Sequence, residues 1–287
     1  MTVEIEIAEA MRANGIIPPK YISFDGKLRR FGPKKSSWCV FFDGNVKAGA
    51  FGDWKTGVSE KFIEARQDIT PKDRQRIAQQ MREAAAQREA ELKTSYEKAA
   101  NQCRLIWRHA EPMGQQSHPY LVRKNVLDEG LRIKGSQLVV PVTDGEKIHS
   151  LQFIHPDGEK RFYPGGRVKG MHYRVGLNLS TERVLVCEGL ATGLTLLKDT
   201  NVPVFIAFNA GNLRPVARAI RMAYPASEII IAGDDDRNIP GNPGATKARE
   251  AAIASGATVA FPRWPEDAPD DLTDFNDLAC WLNRGAV

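Results

Sequence analysis

At 287 residues, with 42% hydrophobic and 26% charged side chains, the chain has apolar content for more than one packed domain and excludes wholesale disorder. No run of 18 uncharged apolar residues occurs, and Met1-Thr2-Val3-Glu4 opens no basic-then-apolar leader, so neither a membrane span nor export is expected, and a cytoplasmic location is. The net charge of +5 is uneven: residues 1–181 hold 30 Lys and Arg against 21 Asp and Glu, and residues 182–287 hold 10 against 14, a +9 part followed by a −4 part. A polyanion-binding surface beside a cation-binding one would show this asymmetry, and so would chance fluctuation.

In chain order, a short helix is predicted over 4–14, stopped by Gly15 and Pro18-Pro19. Short strands follow, including Tyr21-Ile22-Ser23-Phe24 before Asp25-Gly26 and Trp38-Cys39-Val40-Phe41-Phe42 before Asp43-Gly44. Lys20, Lys27, Arg29, Arg30, Lys34 and Lys35 fall here between Tyr21, Phe31 and Trp38. Cations attract phosphates and aromatic faces stack on unpaired bases, which makes Lys27, Arg29, Arg30, Lys34, Lys35 and Trp38 candidate DNA contacts. A solvated hairpin with its aromatics in the core carries the same pattern.

Thr70 as cap, Pro71 at the first helical position and Asp73 three residues after the cap predict a helix start. Apolar or small residues then recur at Ala78, Met81, Ala85, Leu92, Tyr96, Ala99, Cys103 and Ile106, a narrow stripe on an otherwise charged surface. At ~1.5 Å per residue a helix over 71–107 would span roughly 55 Å and serve as a spacer. Beyond it, residues 137–142, 149–154 and 161–163 are predicted strands, divided by Asp144-Gly145 and Asp157-Gly158.

From Thr181 the pattern changes to strand, helix, strand. Strands are predicted over 183–187, 202–208, 228–232 and 258–261, with helices over 191–198, 213–223 and 245–255, which implies a parallel sheet covered on both faces. Ligands collect at the C-terminal ends of such strands. There the chain places Glu188-Gly189, then Asp234-Asp235-Asp236, then Asp274-Phe275-Asn276-Asp277. Alternation along extended backbone lets Asp234 and Asp236 share one side. Carboxylates converging at a sheet edge repel one another unless a hard cation lies among them, and Mg²⁺ suits one or two carboxylates with waters and phosphates.

These residues carry a family resemblance. Val184-Leu185-Val186-Cys187-Glu188-Gly189-Leu190-Ala191-Thr192-Gly193 resembles the first motif of a Toprim domain, in the form found in plasmid and phage primases. Ala232-Gly233-Asp234-Asp235-Asp236 with Pro243-Gly244-Ala245 resembles the Asp-x-Asp motif and its downstream glycine, and Asp274-Phe275-Asn276-Asp277 the ending of those primases. His118-Pro119-Tyr120-Leu121, Val139-Val140-Pro141-Val142, Leu151-Gln152-Phe153-Ile154 and the stretch from Lys160 to Gly170 are similar to their basic subdomain. Phe51-Gly52-Asp53-Trp54-Lys55-Thr56-Gly57 is similar to their N-terminal element.

The resemblance implies an α/β fold with a Toprim-type parallel core, and synthesis of short RNA primers on single-stranded DNA from ribonucleoside triphosphates. It assigns catalysis to Glu188, Asp234, Asp236 and Asp274, and Mg²⁺ or Mn²⁺ to Glu188, Asp234 and Asp236. Nucleotide or template contact falls to Lys160, Arg161, Arg167 and Lys169. It further implies a primosome with a separate replicative helicase, in plasmid, phage or mobile-element replication. Two departures stand out. Thr192 occupies a position that is acidic in the replicative bacterial primases, and the small N-terminal sheet has Cys39 without further zinc ligands, so no zinc is expected.

The expected organisation is a small β-rich, zinc-free domain over 1–69, a helical linker over 70–110, a basic mixed subdomain over 111–181 and a Toprim domain over 182–287. The four cysteines lie at least 64 positions apart, which excludes a CxxC pair. His109, His118, His149, His155 and His172 fit no metal-ligand spacing and are expected to be structural. Gly165-Gly166 is compatible with a phosphate cradle and with a plain turn. Two other readings remain open: a non-catalytic single-strand-binding or helicase-loading factor, and a nuclease.

Overall fold

Residues Trp38 to Phe42 alternate into a strand that is buried on both faces, the second of a four-stranded antiparallel meander. The strands are β1 (Arg29–Phe31), β2 (Ser37–Phe42), β3 (Ala48–Asp53) and β4 (Val58–Ile63), hydrogen-bonded in sequence order. On one face the first helix, α1 (Val3–Ala13), lays Ile7 and Met11 against Cys39, Phe41 and Phe51. On the other, Trp38, Val40 and Ala50 pack against Met81 and Ala84 of α2 (Pro71–His109). The expected strand at Tyr21 to Phe24 does not form. The free edge of β2 is taken by β1, and only Asp25 bridges to Phe42, leaving Tyr21 76% exposed. The computed structural model describes residues 2–54, 56–64, 70–114 and 117–284, without the side chain of Lys34. They form two compact units, Met1–Thr94 and Ser95–Val287, with the division inside α2.

At the start of α2 the Asp73 N–H donates to Thr70 Oγ1 at 3.1 Å, and the Thr70 hydroxyl donates to Asp73 Oδ2 at 2.6 Å. The cap residues are those expected, although here the carboxylate accepts from the capping hydroxyl.

The second unit begins with a five-stranded antiparallel sheet. Its strands are β5 (Glu111–Pro112), β6 (Arg132–Lys134), β7 (Gln137–Thr143), β8 (Ile148–Ile154) and β9 (Lys160–Phe162), and the short helix α3 (Pro119–Arg123) precedes β6. Cys103 of α2 packs on Val139 and Leu151 of this sheet. The strand–helix alternation follows: β10 (Tyr173–Val175), β11 (Arg183–Cys187), α4 (Leu190–Thr200), β12 (Val204–Ile206), α5 (Ala210–Ala223), β13 (Glu228–Ala232), α6 (Pro243–Ser255), β14 (Thr258–Ala260) and α7 (Phe275–Asn283). The order is β10-β12-β11-β13-β14. The last four in sequence are parallel, as expected, and β10 adds an antiparallel edge that the sequence pattern did not reveal.

Alternate residues of the sheet feed two cores. Val184, Val186, Ile229 and Ile231 face α5 and α6, while Leu185 and Cys187 face α4 in a core shared with Leu138, Val140 and Ile154 of the antiparallel sheet. The crossover from β11 leads to β12 on one side, and that from β13 to β14 on the other. Neighbouring strands whose connections part in opposite directions leave a crevice at their C-terminal ends, and in this sheet those strands are β11 and β13.

Candidate active site

Glu188 follows β11 directly, and Asp234 to Asp236 follow β13, so the topology sets both on the crevice. Glu188 Oε1 and Asp234 Oδ1 are buried and have no hydrogen-bond partner among the described residues. Burial pushes the Glu188 carboxyl up to about 7, helped by the charges of Asp236 and Asp274. Burial likewise pushes Asp234 up to about 8, and Glu188, Asp274, Asp236 and Asp277 add to the effect in that order. Asp274 is raised by burial and by the charge of Asp277, against the hydrogen bond from the Asp277 N–H, the charge of Lys124 and the nearby Thr192 hydroxyl.

Backbone alternation sorts the aspartates. Asp235 turns away from the crevice: its carboxylate accepts from Asn242 Nδ2 at 2.7 Å and from Trp264 Nε1 at 3.0 Å. Asp236 Oδ2 accepts the backbone N–H of Gly244 at 2.8 Å, at the start of α6. That contact explains the downstream glycine, since a Cβ on Gly244 would lie 2.8 Å from both Asp234 O and Asp236 Oδ2.

The final motif divides its tasks. Asp274 caps α7 by accepting the Asp277 N–H at 2.9 Å. Phe275 packs on the core below, and Asn276, 1% exposed, donates to Lys124 O at 2.7 Å and Thr195 Oγ1 at 2.9 Å. Asp277 Oδ1 receives Lys124 Nζ at 3.0 Å. Burial draws the Lys124 ammonium down, but the Asp277 hydrogen bond and the Asp277 and Asp274 charges outweigh it, and its pKa rises. Nothing local in the sequence marks Lys124; its own bonds to Asp277 and Asn276 of α7 bring it to the acids.

Among the expected nucleotide contacts, Lys160 alone reaches the crevice acids. Much of its side chain is exposed, yet its ammonium lies 5.6 Å from the Tyr120 ring centroid. Lost hydration lowers its pKa, opposed by Asp274 and Asp234 and assisted by Lys124. Arg161 is exposed and holds Glu159 through Nε and Nη2 at 2.9 and 2.8 Å. Arg167 and Lys169 line a cavity of about 850 Å³ that none of the four crevice acids lines. Gly166 is required by packing: a Cβ there would lie 2.1 Å from Ser150 Oγ.

In the first unit Lys27, Arg29, Arg30 and Lys35 are exposed. Arg29 pairs with Asp25 at 2.7 Å, and Arg30 lies 4.7 Å from the Trp54 ring centroid. Trp38 corrects the expectation placed on it. It is 3% exposed, because it sits on the face of β2 that α2 covers, and its ring is capped by Arg88 at 4.1 Å, which leaves no face for a base. The Lys34 side chain and Lys55 lie outside the described residues. Cys39 is buried, and its thiol is pushed up to about 11 by burial.

A hard divalent cation fits the donor chemistry of the crevice, since two carboxylate oxygens are buried without a partner. Among the described residues no three His, Cys, Asp or Glu side chains are placed to hold one ion together. Waters and substrate phosphates would therefore supply most of its shell, as Mg²⁺ accepts. No helix among these residues is long and apolar enough to cross a membrane.

Residues 183–283 match the Toprim domain family. Over its length the chain is 30% identical to a DNA primase TraC of Escherichia coli, covering 91% of this chain and 26% of that protein. A second Escherichia coli DNA primase TraC is also 30% identical, covering 97% and 20%. The chain thus spans about a quarter or less of the length of these relatives. Among solved structures it is similar to the DnaG primase catalytic domain bound to ssDNA, at 12% identity and a TM-score of 0.44, over 69% of this chain and 78% of that one. It is also similar to the zinc-binding and RNA polymerase domains of the Aquifex aeolicus primase, at 13% identity and a TM-score of 0.40, over 100% and 86%.

Proposed function

Given that residues 183–283 are a Toprim domain and that the chain is a relative of the TraC DNA primases along nearly all of its length, we propose that it synthesises short RNA primers on single-stranded DNA. The observation that carries this reading is the pair of buried, unpartnered carboxylate oxygens, on Glu188 and Asp234, at the switch point of the sheet. Buried acids without partners are costly, and a site that accepts that cost is suited to a cation and a phosphate.

Glu188, Asp234 and Asp236 would supply the one or two carboxylates that each Mg²⁺ or Mn²⁺ takes, and the cation would neutralise charge at a reacting α-phosphate. Without a cation, burial and the neighbouring acids hold the Glu188 carboxyl up at about 7, and a bound cation would hold it ionised as a ligand. Asp274 closes the acid wall and is held in orientation as the cap of α7. Lys124 and Lys160 bring two ammonium groups to the same wall, where they would bind a triphosphate and stabilise the charge that develops on transfer. Ribonucleoside triphosphates are the proposed substrates, and a separate replicative helicase the proposed partner, in the cytoplasm.

The test is primer synthesis on a panel of short single-stranded templates with radiolabelled ribonucleotides and Mg²⁺ or Mn²⁺. Template-dependent products that fall at least about a hundredfold in Glu188→Gln would support the reading. No product on any template, with wild type and Glu188→Gln alike, would end it. Degradation of labelled DNA without nucleotides would point to a nuclease instead.

A further inference from the structure

In the first unit a groove of about 570 Å³ runs between β4 and α2. It exists because one helix is narrower than four strands: α2 seats Met81 and Ala84 over Trp38, Val40 and Ala50, which belong to the middle strands β2 and β3. The residues of β4 alternate between faces. Phe62 turns to the α1 side and packs with Phe41 and Phe51, while Ser59, Lys61 and Ile63 turn to the α2 side and line the groove. Ile63 is 49% exposed there. The floor and the helix wall are aliphatic, built from Val40, Ile77, Ala78, Met81 and Ala85.

The rims of this groove are cationic. Lys61 stands on the sheet side, and Arg74, Arg82 and Arg88 stand on the helix side. Arg88 is engaged over the Trp38 ring. Lys61, Arg74 and Arg82 are exposed, and among the described residues their side chains have no hydrogen bond or ion pair. No Asp or Glu among the described residues lines the groove. Glu60 alternates to the opposite face of β4, and Asp73 is taken by the Thr70 hydroxyl. The helix residues that line it, from Arg74 to Arg88, recur at steps of three and four, so cations and apolar residues share one face of α2 over about 21 Å.

A single anion or a fatty acid would engage one end of this face and leave the other cations unmatched. A DNA strand would use the cations, but its bases stack on open aromatic faces, and Phe42, the aromatic that lines the groove, is half-buried in the sheet. A helix with an apolar stripe flanked by acids uses the aliphatic floor and both rims at once. We propose that this groove docks an acidic amphipathic helix of a partner protein, its apolar stripe on the aliphatic floor and its carboxylates on Lys61, Arg74 and Arg82. Charge complementarity selects the partner: three cations on two facing walls, without a carboxylate between them, favour an acidic segment and repel a basic one. The carboxylate crevice takes no part in this contact.

The test is fluorescence anisotropy of the full chain with a fluorescein-labelled peptide of about twelve residues, ~18 Å long as a helix, that carries Leu at helical spacing among Glu. Saturable binding is expected. It should weaken at least about tenfold in Arg82→Glu and in Lys61→Glu, both exposed positions, with circular dichroism melts checking the fold. Replacing Leu by Ser in the peptide should weaken binding by at least the same factor. Lys27→Glu, outside the groove, should bind as wild type does. The proposal is overturned by absent binding, by binding indifferent to both charge reversals, by equal loss in Lys27→Glu, or by a Ser peptide that binds as tightly as the Leu one. It is also overturned if a (dT)12 strand binds through Arg82 and Lys61 while the peptide does not. The readout involves no catalysis, so its failure leaves the primer-synthesis proposal standing.

Discussion

Lys124 Nζ donates to Asp277 Oδ1 at 3.0 Å, joining residues 153 positions apart, one just after α3 and the other in the first turn of α7. Through this pair the antiparallel part of the second unit reaches the acid wall of the parallel sheet. Lys124→Ala leaves a partly buried carboxylate unpaired beside Asp274, and should cost about 1–2 kcal/mol in stability. Primer synthesis should fall further than that, and Lys124→Arg should restore much of it. Equal activity in Lys124→Ala and wild type would remove this residue from the site.

The raised pKa values of Glu188 and Asp234 make a signed prediction. In the unfolded chain both titrate near 4, but in the folded protein near about 7 and about 8. Between those limits the folded state holds more protons, so stability falls as pH rises. His172, lowered to about 4, acts in the opposite sense, but only below its unfolded value of about 6.5. From pH 6.5 to 8.5 the metal-free protein should therefore lose roughly 1–3 kcal/mol. Asp234→Asn should flatten the slope, and Mg²⁺ should raise the melting temperature more at pH 8.5 than at 6.5. Thermal melts across this window that stay level, or rise, would contradict the electrostatics of the crevice.

Gly244→Ala tests how Asp236 is aimed. The new Cβ would meet Asp234 O and Asp236 Oδ2 at 2.8 Å, where backbone cannot yield cheaply. Loss of about 1–3 kcal/mol is expected from overpacking, with at least about a tenfold drop in primer synthesis as the carboxylate is displaced. An active, wild-type-like Gly244→Ala would mean that this anchor is dispensable.

In the first unit, stability and DNA contact should separate. Trp38→Ala removes a buried aromatic and should cost about 3–5 kcal/mol, with no specific effect on DNA once folding is restored at low temperature. Lys27→Glu and Lys35→Glu lie on exposed positions and should leave melting within about 0.5 kcal/mol. They should weaken single-stranded DNA binding and lower its salt dependence if this surface contacts phosphate. Binding titrations at several salt concentrations distinguish the two outcomes.

What the sequence determined by itself was periodic and local. The α2 helix was legible from Thr70, Pro71 and the apolar stripe because a cap and a 3.6-residue repeat are written in neighbouring residues. The parallel sheet was legible from apolar runs between helices, and Glu188, Asp234 and Asp236 from their place at the strand ends. Non-local pairing was not legible. The three-residue strands β1, β6 and β10 are too short to carry a period, and exist because a neighbour's edge offers hydrogen bonds. Tyr21 to Phe24 has a strand-like composition and no such edge to occupy.

Tertiary structure alone decided which side chains meet. It buried Trp38 under Arg88, since which face of a strand a helix covers depends on packing far along the chain. It brought Lys160 near Asp274 and Asp234 but carried Arg167 and Lys169 to another cavity, although Lys160 and Lys169 are only nine positions apart. Charge type is a property of the residue and can be read in one dimension. Distance between charges is a property of the fold, and distance determines which of them act on the same phosphate.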